Sequence, residues 1–178
     1  NLNLTGIADE VLKYWEENDI FNKSMDLRKG NDNFVFYEGP PSANGVPGIH
    51  HVMARTIKDL FCRYQTLKGK YVERKAGWDT HGLPVEISVE KTLGITKEDI
   101  GKKITVEEYN KACRKEVLKY KDLWDDLTKK VGYWVDLENP YITFDNKYIE
   151  SVWNLLKKLF DNGLLYKGYT IQPYSPAA

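Results

Sequence analysis

One stretch of this chain, residues 39–54, carries no charged side chain, although 29% of the 178 residues are charged. It contains three glycines and three prolines, all within its first ten residues. Proline lacks a backbone donor and glycine adopts conformations closed to other residues, so this part is neither helix nor strand. A loop of this composition is either a plain surface turn or backbone that approaches a ligand closely.

The pattern on both sides of the loop predicts a βαβ unit. The apolar run 34–37 is too short for a helix and is typical of a strand. From Ile49 to Leu67 apolar residues recur every three or four positions, which predicts a helix that stops at Gly69. A second strand is predicted over 71–75. This order implies parallel strands joined by a right-handed crossover, and therefore the α/β fold class.

Most of the remaining chain is predicted to be helical. An amphipathic helix is predicted over 7–20. Thr105 and Glu108 have the spacing of a capping box that opens a long helix reaching residue 127. Another helix is predicted over 147–162, where a glycine follows it.

The run 164–174 predicts the beginning of a further strand. A parallel sheet of only two strands is not a stable end product. We therefore expect the fold to be incomplete within this chain.

Charge and cysteine content exclude several classes of protein. The 26 basic and 26 acidic side chains give a net charge of zero, which argues against a nucleic-acid sleeve that binds through excess lysine and arginine. Cys62 and Cys113 are too few and too far apart for a disulfide framework or a local metal knuckle, so we expect buried free thiols. The basic run 55–75 is expected to be the solvated side of an amphipathic helix. No signal peptide or membrane-length apolar run is recognisable, so we expect a cytoplasmic protein without a membrane partner.

Two segments with unusual composition follow the two predicted strands, at 38–41 and at 77–81. In open α/β sheets, ligands bind beyond the carboxyl ends of the parallel strands. We therefore expect both segments to face each other across one crevice. His81 closes the second segment, and His50 and His51 lie in the uncharged stretch 39–54 that continues the first, so all three histidines of the chain belong to these two regions.

The residues near the crevice predict a phosphate-binding site. A helix N-terminus near Ile49 offers unpaired N–H groups and a positive dipole end. His50 and His51 lie in its first turn, where their rings could donate to phosphate oxygens. The alternative is that these histidines are merely tolerated next to the helix cap and bind nothing. Two adjacent histidines in an uncharged loop favour the ligand-binding interpretation. Asp79 has two open interpretations, a helix cap or a carboxylate that pairs with a ligand's ammonium group. No zinc set, Ser-His-Asp arrangement or thiol nucleophile is recognisable.

Three motifs in this order resemble those of class I aminoacyl-tRNA synthetases. They are Tyr-Glu-Gly-Pro-Pro-Ser-Ala-Asn-Gly at 37–45, Gly-Ile-His-His at 48–51 and Ala-Gly-Trp-Asp-Thr-His-Gly-Leu-Pro-Val-Glu at 76–86. The likeness extends to 133–136 and 163–166 and so covers nearly the whole chain. The Pro-Pro-x-Ala-Asn-Gly loop favours the isoleucyl family over the valyl family, which shares the Gly-Trp-Asp-x-His-Gly segment. The resemblance implies the first half of a Rossmann-like nucleotide-binding fold with added helices.

The resemblance also implies a reaction and a set of site residues. Isoleucine's carboxylate attacks the α-phosphorus of Mg²⁺-ATP to give isoleucyl-adenylate, and the acyl group then passes to tRNA(Ile). Gly39, Pro40 and Asp79 are expected at the amino-acid site, with Asp79 holding the α-ammonium group. The residues implied in nucleotide binding are Pro41, Asn44, Gly48, His50 and His51.

One motif departs from the family pattern. The family signature is His-Ile-Gly-His, whereas residues 48–51 read Gly-Ile-His-His, so the last histidine is kept as His51 and the first has exchanged places with glycine. Our hypothesis is that His50 supplies the missing donor from a neighbouring position. His50 and His51 are then the predicted catalytic residues.

The resemblance predicts three parts: an N-terminal helical segment, 1–32; the first half of the catalytic domain with its helical extension, 33–165; and the start of the connective editing insertion, 166–178. The Lys-Met-Ser-Lys-Ser loop and the second half of the fold are not in this sequence, so we expect no isoleucine activation by the chain alone. Residues 173–178 hold no cysteine, so no zinc is expected, and the full-length enzyme is expected to be a monomer. Two alternatives are a valyl-tRNA synthetase fragment and a free-standing nucleotide-binding module.

Overall fold

The computed structural model describes residues 2–174. They form seven helices, a short 3₁₀ turn and two strands. In chain order these are α1 (Leu4–Glu17), α2 (Ile20–Asp26), α3 (Ile49–Leu67), β1 (Lys75–Trp78), α4 (Leu83–Leu93), the 3₁₀ turn (Lys97–Asp99), α5 (Val106–Glu116), α6 (Lys121–Lys130), β2 (Asp136–Ile142) and α7 (Asn146–Asp161).

The two strands form a parallel sheet, and this confirms the α/β fold class. Lys75 pairs with Asp136 and Trp78 with Ile142, with an irregularity in the register just after Lys75. The carboxyl ends of both strands therefore lie at the same edge of the sheet.

The two early strands were predicted to pair with each other as parallel strands, but they are joined at one position only. Residues 34–37 form no ladder, and one isolated parallel bridge joins Asn33 to Tyr71. Two backbone bonds of 2.9 Å hold this bridge, from Phe34 N–H to Tyr71 and from Tyr71 N–H to Asp32. The second strand begins at Lys75, later than predicted, because its partner β2 comes from much farther along the chain.

Several predicted helix boundaries are confirmed. Helix α3 begins at Ile49, and Gly69 follows it with φ +89°, a conformation that favours glycine. The Thr105 hydroxyl accepts the Glu108 N–H at 3.2 Å, so the predicted capping box opens α5. Helix α7 agrees with its predicted range within one residue at each end.

Three other element predictions need correction, and two elements were missed. The helix predicted over 7–20 ends at Glu17, where a short second helix follows. The helix predicted to reach residue 127 is interrupted between α5 and α6, where the Tyr120 N–H leaves the helix to donate to Ala43 at 2.9 Å. Helix α4 and strand β2 were not predicted, and residues 164–174 form no strand.

The buried core lies directly beneath the uncharged loop. Ala43 is fully buried and packs with Trp78 of β1 and Trp124 of α6. A second cluster joins Ala76 to Tyr133 and Val135 beside the sheet. The loop is therefore part of the core on one side, which holds its backbone in place.

The basic run is not the solvated face that its pattern predicted. Arg55 and Arg74 are 6% and 1% exposed. The Arg74 guanidinium donates to the Thr66 hydroxyl at 2.8 Å and to the Trp134 carbonyl at 3.3 Å. Both partners lie outside the basic run's charge pattern, and the Trp134 carbonyl is 60 positions away, so that pattern alone could not indicate them.

Both cysteines are free thiols, with Cys62 fully buried and Cys113 half-buried. Within residues 2–174, no helix is long and apolar enough to cross a membrane.

Candidate functional site

The uncharged loop and the segment after β1 are joined by a backbone hydrogen bond. The Asp79 N–H donates to the Pro41 carbonyl at 2.9 Å. Asp79 follows β1 directly, and Pro41 lies in the loop that leads to α3. The two predicted motifs are therefore in contact just beyond the carboxyl end of β1, although the residues before the loop form no strand of the sheet.

A cavity of about 360 Å³ lies between the loop, α3 and α6. It is lined by Gly39, Pro41, Ser42, Asn44, Gly45, Val46, His51, Ala54, Arg55, Lys58 and Trp124. Four of the predicted site residues, Gly39, Pro41, Asn44 and His51, are in this set, and a Cβ at Gly39 would meet no atom within 4 Å. Pro40, Gly48, His50 and Asp79 are not among the lining residues.

His51 is held by the backbone at the start of α3. The Gly48 N–H donates to His51 Nδ1 at 2.8 Å, so this nitrogen is an acceptor and Nε2 carries the ring hydrogen. Its ring meets the edge of Trp124 with centroids 4.5 Å apart. Burial lowers the pKa of His51, and the neighbouring His50 and Arg55 act in the same direction. The ring is thus prepared as a neutral N–H donor.

His50 is exposed and lies against His51, with ring centroids 3.8 Å apart. A Cβ built on Gly48 would lie 2.9 Å from His50 Cε1. The His50 ring therefore occupies the space that a side chain at position 48 would enter.

Asp79 is half-buried and is not a helix cap. Helix α4 begins at Leu83 with Gly82 as its N-cap residue, three positions beyond Asp79. The Asp79 carboxylate accepts the His81 N–H in a long contact of 3.5 Å. Of the two interpretations left open by the sequence, the helix cap is excluded.

Glu38 anchors the beginning of the loop and was not among the predicted site residues. Its side chain is 5% exposed, and its carboxylate accepts from Lys58 Nζ and the Tyr133 hydroxyl. Its carbonyl accepts the Tyr141 hydroxyl at 2.7 Å. Burial and the Glu38 charge raise the pKa of Tyr133, which keeps its hydroxyl a donor. These partners lie up to 103 positions away, so no local spacing signals the cluster.

Arg55 forms a positively charged wall of the cavity. Its guanidinium lies 4.7 Å from the centre of the Trp124 ring, and its Nε donates to the Thr128 hydroxyl at 3.1 Å. Burial lowers the pKa of Arg55, but an arginine starts so high that the group stays charged. The cavity therefore combines a cation with backbone and imidazole donors, which suits an anionic ligand.

A third set of polar groups lies where the two strands end. The Thr143 hydroxyl accepts the Thr80 N–H at 2.9 Å and lies 2.8 Å from the Thr80 hydroxyl. It also lies 3.2 Å from Nδ1 of His81. His81 was predicted to lie in a motif at the crevice, but no role was predicted for it.

Among the described residues, no cluster of three or more histidine, cysteine, aspartate or glutamate side chains has the arrangement of a metal site.

Comparison with known proteins identifies the family. Residues 10–178 match the family model described as tRNA synthetases class I (I, L, M and V). The isoleucine–tRNA ligase of Bacteroides thetaiotaomicron is 70% identical over 175 residues, which is 98% of this chain and 15% of that protein. The isoleucine–tRNA ligase of Porphyromonas gingivalis is 66% identical over 178 residues, which is 100% of this chain and 16% of that protein. The chain thus spans about one sixth of the length of these relatives.

A solved structure shares the fold at low sequence identity. It is the LeuRS of Agrobacterium radiobacter K84 agnB2 in a ternary complex with tRNA and LeuAMS, with a TM-score of 0.61 and 23% identity over 89% of this chain and 18% of that one. The resemblance inferred from the motifs is confirmed: the chain belongs to the class I tRNA synthetases of the I, L, M and V group.

Proposed function

We propose that this chain is the amino-acid- and ATP-binding part of an isoleucine–tRNA ligase. The observation that carries the proposal is the 2.9 Å bond from Asp79 to Pro41, because it joins the predicted amino-acid segment to the predicted nucleotide loop. The high identity to relatives named isoleucine–tRNA ligase supports isoleucine as the amino acid.

The proposed reaction needs no covalent enzyme intermediate. An oxygen of the isoleucine carboxylate attacks the α-phosphorus of ATP, the bond to the β-phosphate oxygen breaks, and pyrophosphate leaves with its electron pair. The adenylate's carbonyl carbon is then attacked by a hydroxyl of the terminal adenosine of tRNA(Ile), and AMP leaves. Catalysis of this kind rests on positioning and on stabilising developing negative charge. Mg²⁺ enters with ATP as part of that substrate.

The site residues have the following proposed roles. Asp79 holds the α-ammonium group of isoleucine beside Gly39 and Pro40. His51 donates through Nε2–H to phosphate oxygens, since its Nδ1 is occupied by the Gly48 N–H. Pro41, Asn44 and Gly48 shape the nucleotide loop, and α3 adds the positive end of its dipole.

We propose that His50 replaces the first histidine of the family signature. Its Cε1 lies 2.9 Å from the place of a Cβ at position 48, so the ring occupies the region where the family's first histidine begins. Glycine at position 48 supports this, because any larger residue there would displace the His50 ring.

Isoleucine-dependent exchange between ATP and pyrophosphate by the full-length protein tests the proposed function. We expect isoleucine to be preferred over valine in kcat/KM. Asp79→Asn should lower kcat/KM for isoleucine by at least about tenfold, because a charge-paired hydrogen bond is lost. Asp126→Asn on the exposed side of α6 is the matched control and should leave exchange unchanged. A preference for valine would instead identify a valyl enzyme. An Asp79→Asn variant with the same kcat/KM for isoleucine as the wild type would contradict the proposal.

The remaining assignments belong to the same proposal. Residues 1–32 form an N-terminal helical segment, 33–165 the first half of a Rossmann-like catalytic domain, and 166–178 the start of the connective insertion; residues 175–178 lie outside the described part. The α1 residue Trp15 packs edge-on against Trp134 at 5.1 Å, so the N-terminal segment and the catalytic part share an interface. We place the full-length enzyme in the cytoplasm as a monomer that binds tRNA(Ile).

A further inference from the structure

Two buried hydroxyl groups connect the ends of both strands to the exposed His81. Thr80 and Thr143 are 7% and 8% exposed, and each follows one strand at the carboxyl edge of the sheet. Because β1 and β2 are parallel neighbours, this edge brings together residues 63 positions apart in sequence.

Among Thr80, Thr143 and His81, counting the donor hydrogens and the acceptor atoms shows which group donates in each hydrogen bond. Each threonine hydroxyl has one hydrogen to donate. If His81 Nδ1 carried the ring hydrogen, Thr143 would have to donate to Thr80, and the Thr80 hydroxyl would have no acceptor within residues 2–174. A buried hydroxyl without an acceptor is costly. If Thr80 donates to Thr143 and Thr143 donates to Nδ1, every hydrogen has an acceptor.

This direction leaves Nε2 of His81 as the ring's donor. Within residues 2–174 Nε2 has no hydrogen-bond partner, and the residue is exposed. His51 has the same arrangement, with Nδ1 held by its own chain and Nε2–H available.

We propose that His81 binds a carboxylate oxygen of the amino-acid substrate through Nε2–H, and that Thr143 is the positioning residue that sets this tautomer. The inference rests on the proposed function, in which Asp79 binds the substrate's ammonium group. An α-amino acid carries ammonium and carboxylate on one carbon, so the two partners must be close neighbours. Asp79 and His81 are two residues apart, and the Asp79 carboxylate is 3.5 Å from the His81 backbone nitrogen.

Paired substitutions of His81 test the donor position in the full-length protein. The side-chain nitrogen of glutamine can reach the place of Nε2, whereas that of asparagine reaches only the place of Nδ1. We expect His81→Asn to raise KM for isoleucine in ATP–pyrophosphate exchange by about tenfold, and His81→Gln to stay within about threefold of wild type. Isoleucinol, which has no carboxylate, should inhibit the wild type and both variants with Ki values within about twofold of each other. The proposal would be overturned if the KM for isoleucine of His81→Asn were equal to or lower than that of His81→Gln.

Substitutions of Thr143 test the positioning role. Thr143→Val keeps the shape and removes the hydroxyl, and Thr143→Ser keeps the hydroxyl. We expect valine to raise KM for isoleucine by about fivefold or more with Ki for isoleucinol unchanged, and serine to behave as wild type. Equal losses for isoleucine and isoleucinol would indicate a structural role only, and equal behaviour of valine and serine would also overturn the proposal.

The two pairs of variants, at His81 and at Thr143, distinguish a failure of this inference from a failure of the proposed function. A wild-type protein without isoleucine-dependent exchange would overturn the proposed function, and this inference with it. An active wild type whose His81 and Thr143 variants bind isoleucine normally would overturn this inference alone. Because His81 is exposed, its pair remains informative even if Thr143→Val impairs folding.

Discussion

At the scale of single residues, the site is built by backbone and hydroxyl groups that fix the hydrogen positions of imidazole rings. The Gly48 N–H occupies Nδ1 of His51, and Thr143 lies next to Nδ1 of His81. A ring held in this way presents one defined donor instead of alternating between two tautomers. A single N–H at a defined ring position can donate to a phosphate or carboxylate oxygen.

The titration of His51 is the first prediction at this scale. We expect its pKa to lie below the usual 6.5, chiefly because of burial. At pH values between the pKa of His51 in the folded chain and its pKa in the unfolded chain, the unfolded chain binds more protons. The contribution of His51 to the free energy of unfolding is therefore fully present above about pH 6.5 and is lost as the pH falls through this window. Proton NMR can follow the ring, because the chain has three histidines and His51→Gln identifies the signal. A midpoint at or above 6.5 would contradict the prediction.

The second residue-scale prediction concerns the exchanged signature positions. A side chain at position 48 would collide with the His50 ring, since its Cβ would lie 2.9 Å from Cε1. We expect Gly48→His alone to lower kcat/KM for ATP in the full-length protein by about tenfold. The double variant with His50→Gly removes the collision and should recover to within about threefold of wild type, a coupling expected of contacting residues. A double variant weaker than the single one would disprove this coupling.

At the scale of secondary-structure elements, β1 is packed closely by a ring from its neighbour β2. The Tyr141 ring lies over Gly77, stacks on Tyr148 of α7 at 5.7 Å, and donates through its hydroxyl to the Glu38 carbonyl at 2.7 Å. One side chain thus links both strands, α7 and the start of the uncharged loop. The absence of a Cβ at Gly77 makes this position of the ring possible.

Gly77→Ala tests this packing. The new Cβ would overlap the Tyr141 ring carbons, and the ring cannot move without losing its bond to Glu38. We expect a loss of about 1–3 kcal/mol in the free energy of unfolding by urea, as overpacking usually causes. Gly45→Ala is the matched control, because its Cβ would meet no atom within 4 Å, and it should change stability by less than about 0.5 kcal/mol. Equal effects of the two substitutions would show that Tyr141 does not restrict position 77.

At the scale of the whole molecule, the amphipathic helices bury less of their apolar surface than their sequences predict. The apolar stripe of α3 is mostly exposed, with Leu60 and Phe61 at 64% and 60%. The buried residues of α3 are instead Arg55, Cys62 and Thr66, on another face. Helix α7 has no buried residue, although it also carries an apolar stripe. Two helices that both expose an apolar stripe are unusual for a monomeric protein.

These exposed stripes predict how the isolated chain behaves. We expect it to bind an apolar dye such as ANS and to self-associate, because water-exposed apolar surface favours association. The variant Leu60→Lys/Phe61→Lys should reduce both dye fluorescence and apparent mass in sedimentation, with stability changed by less than about 1 kcal/mol. The control Lys13→Glu on α1 should change neither. A monomeric wild type without dye binding would contradict the prediction.

Features of the fold that depend on residues close together in sequence could be predicted, whereas features that depend on distant residues could not. The bounds of α3 and α7, the capping box at Thr105 and the two motif segments follow from patterns within about twenty residues. The α/β class followed from the strand-helix-strand pattern over 34–75, although its first strand forms no ladder. Strand β2, the interruption between α5 and α6, and the Glu38 cluster depend on partners much farther away, up to 103 positions for Glu38. Short-range propensity carries no information about such partners.

The sequence by itself determined the family motifs and the helix periods, because these depend on side chains a few residues apart. Only the tertiary structure decided which face of α3 is buried, that Asp79 is not a helix cap, and that Thr143 reaches His81. The physical reason is that burial and hydrogen bonding depend on which surfaces meet in space. A parallel sheet brings surfaces together across long separations, as it does for Thr80 and Thr143 over 63 positions.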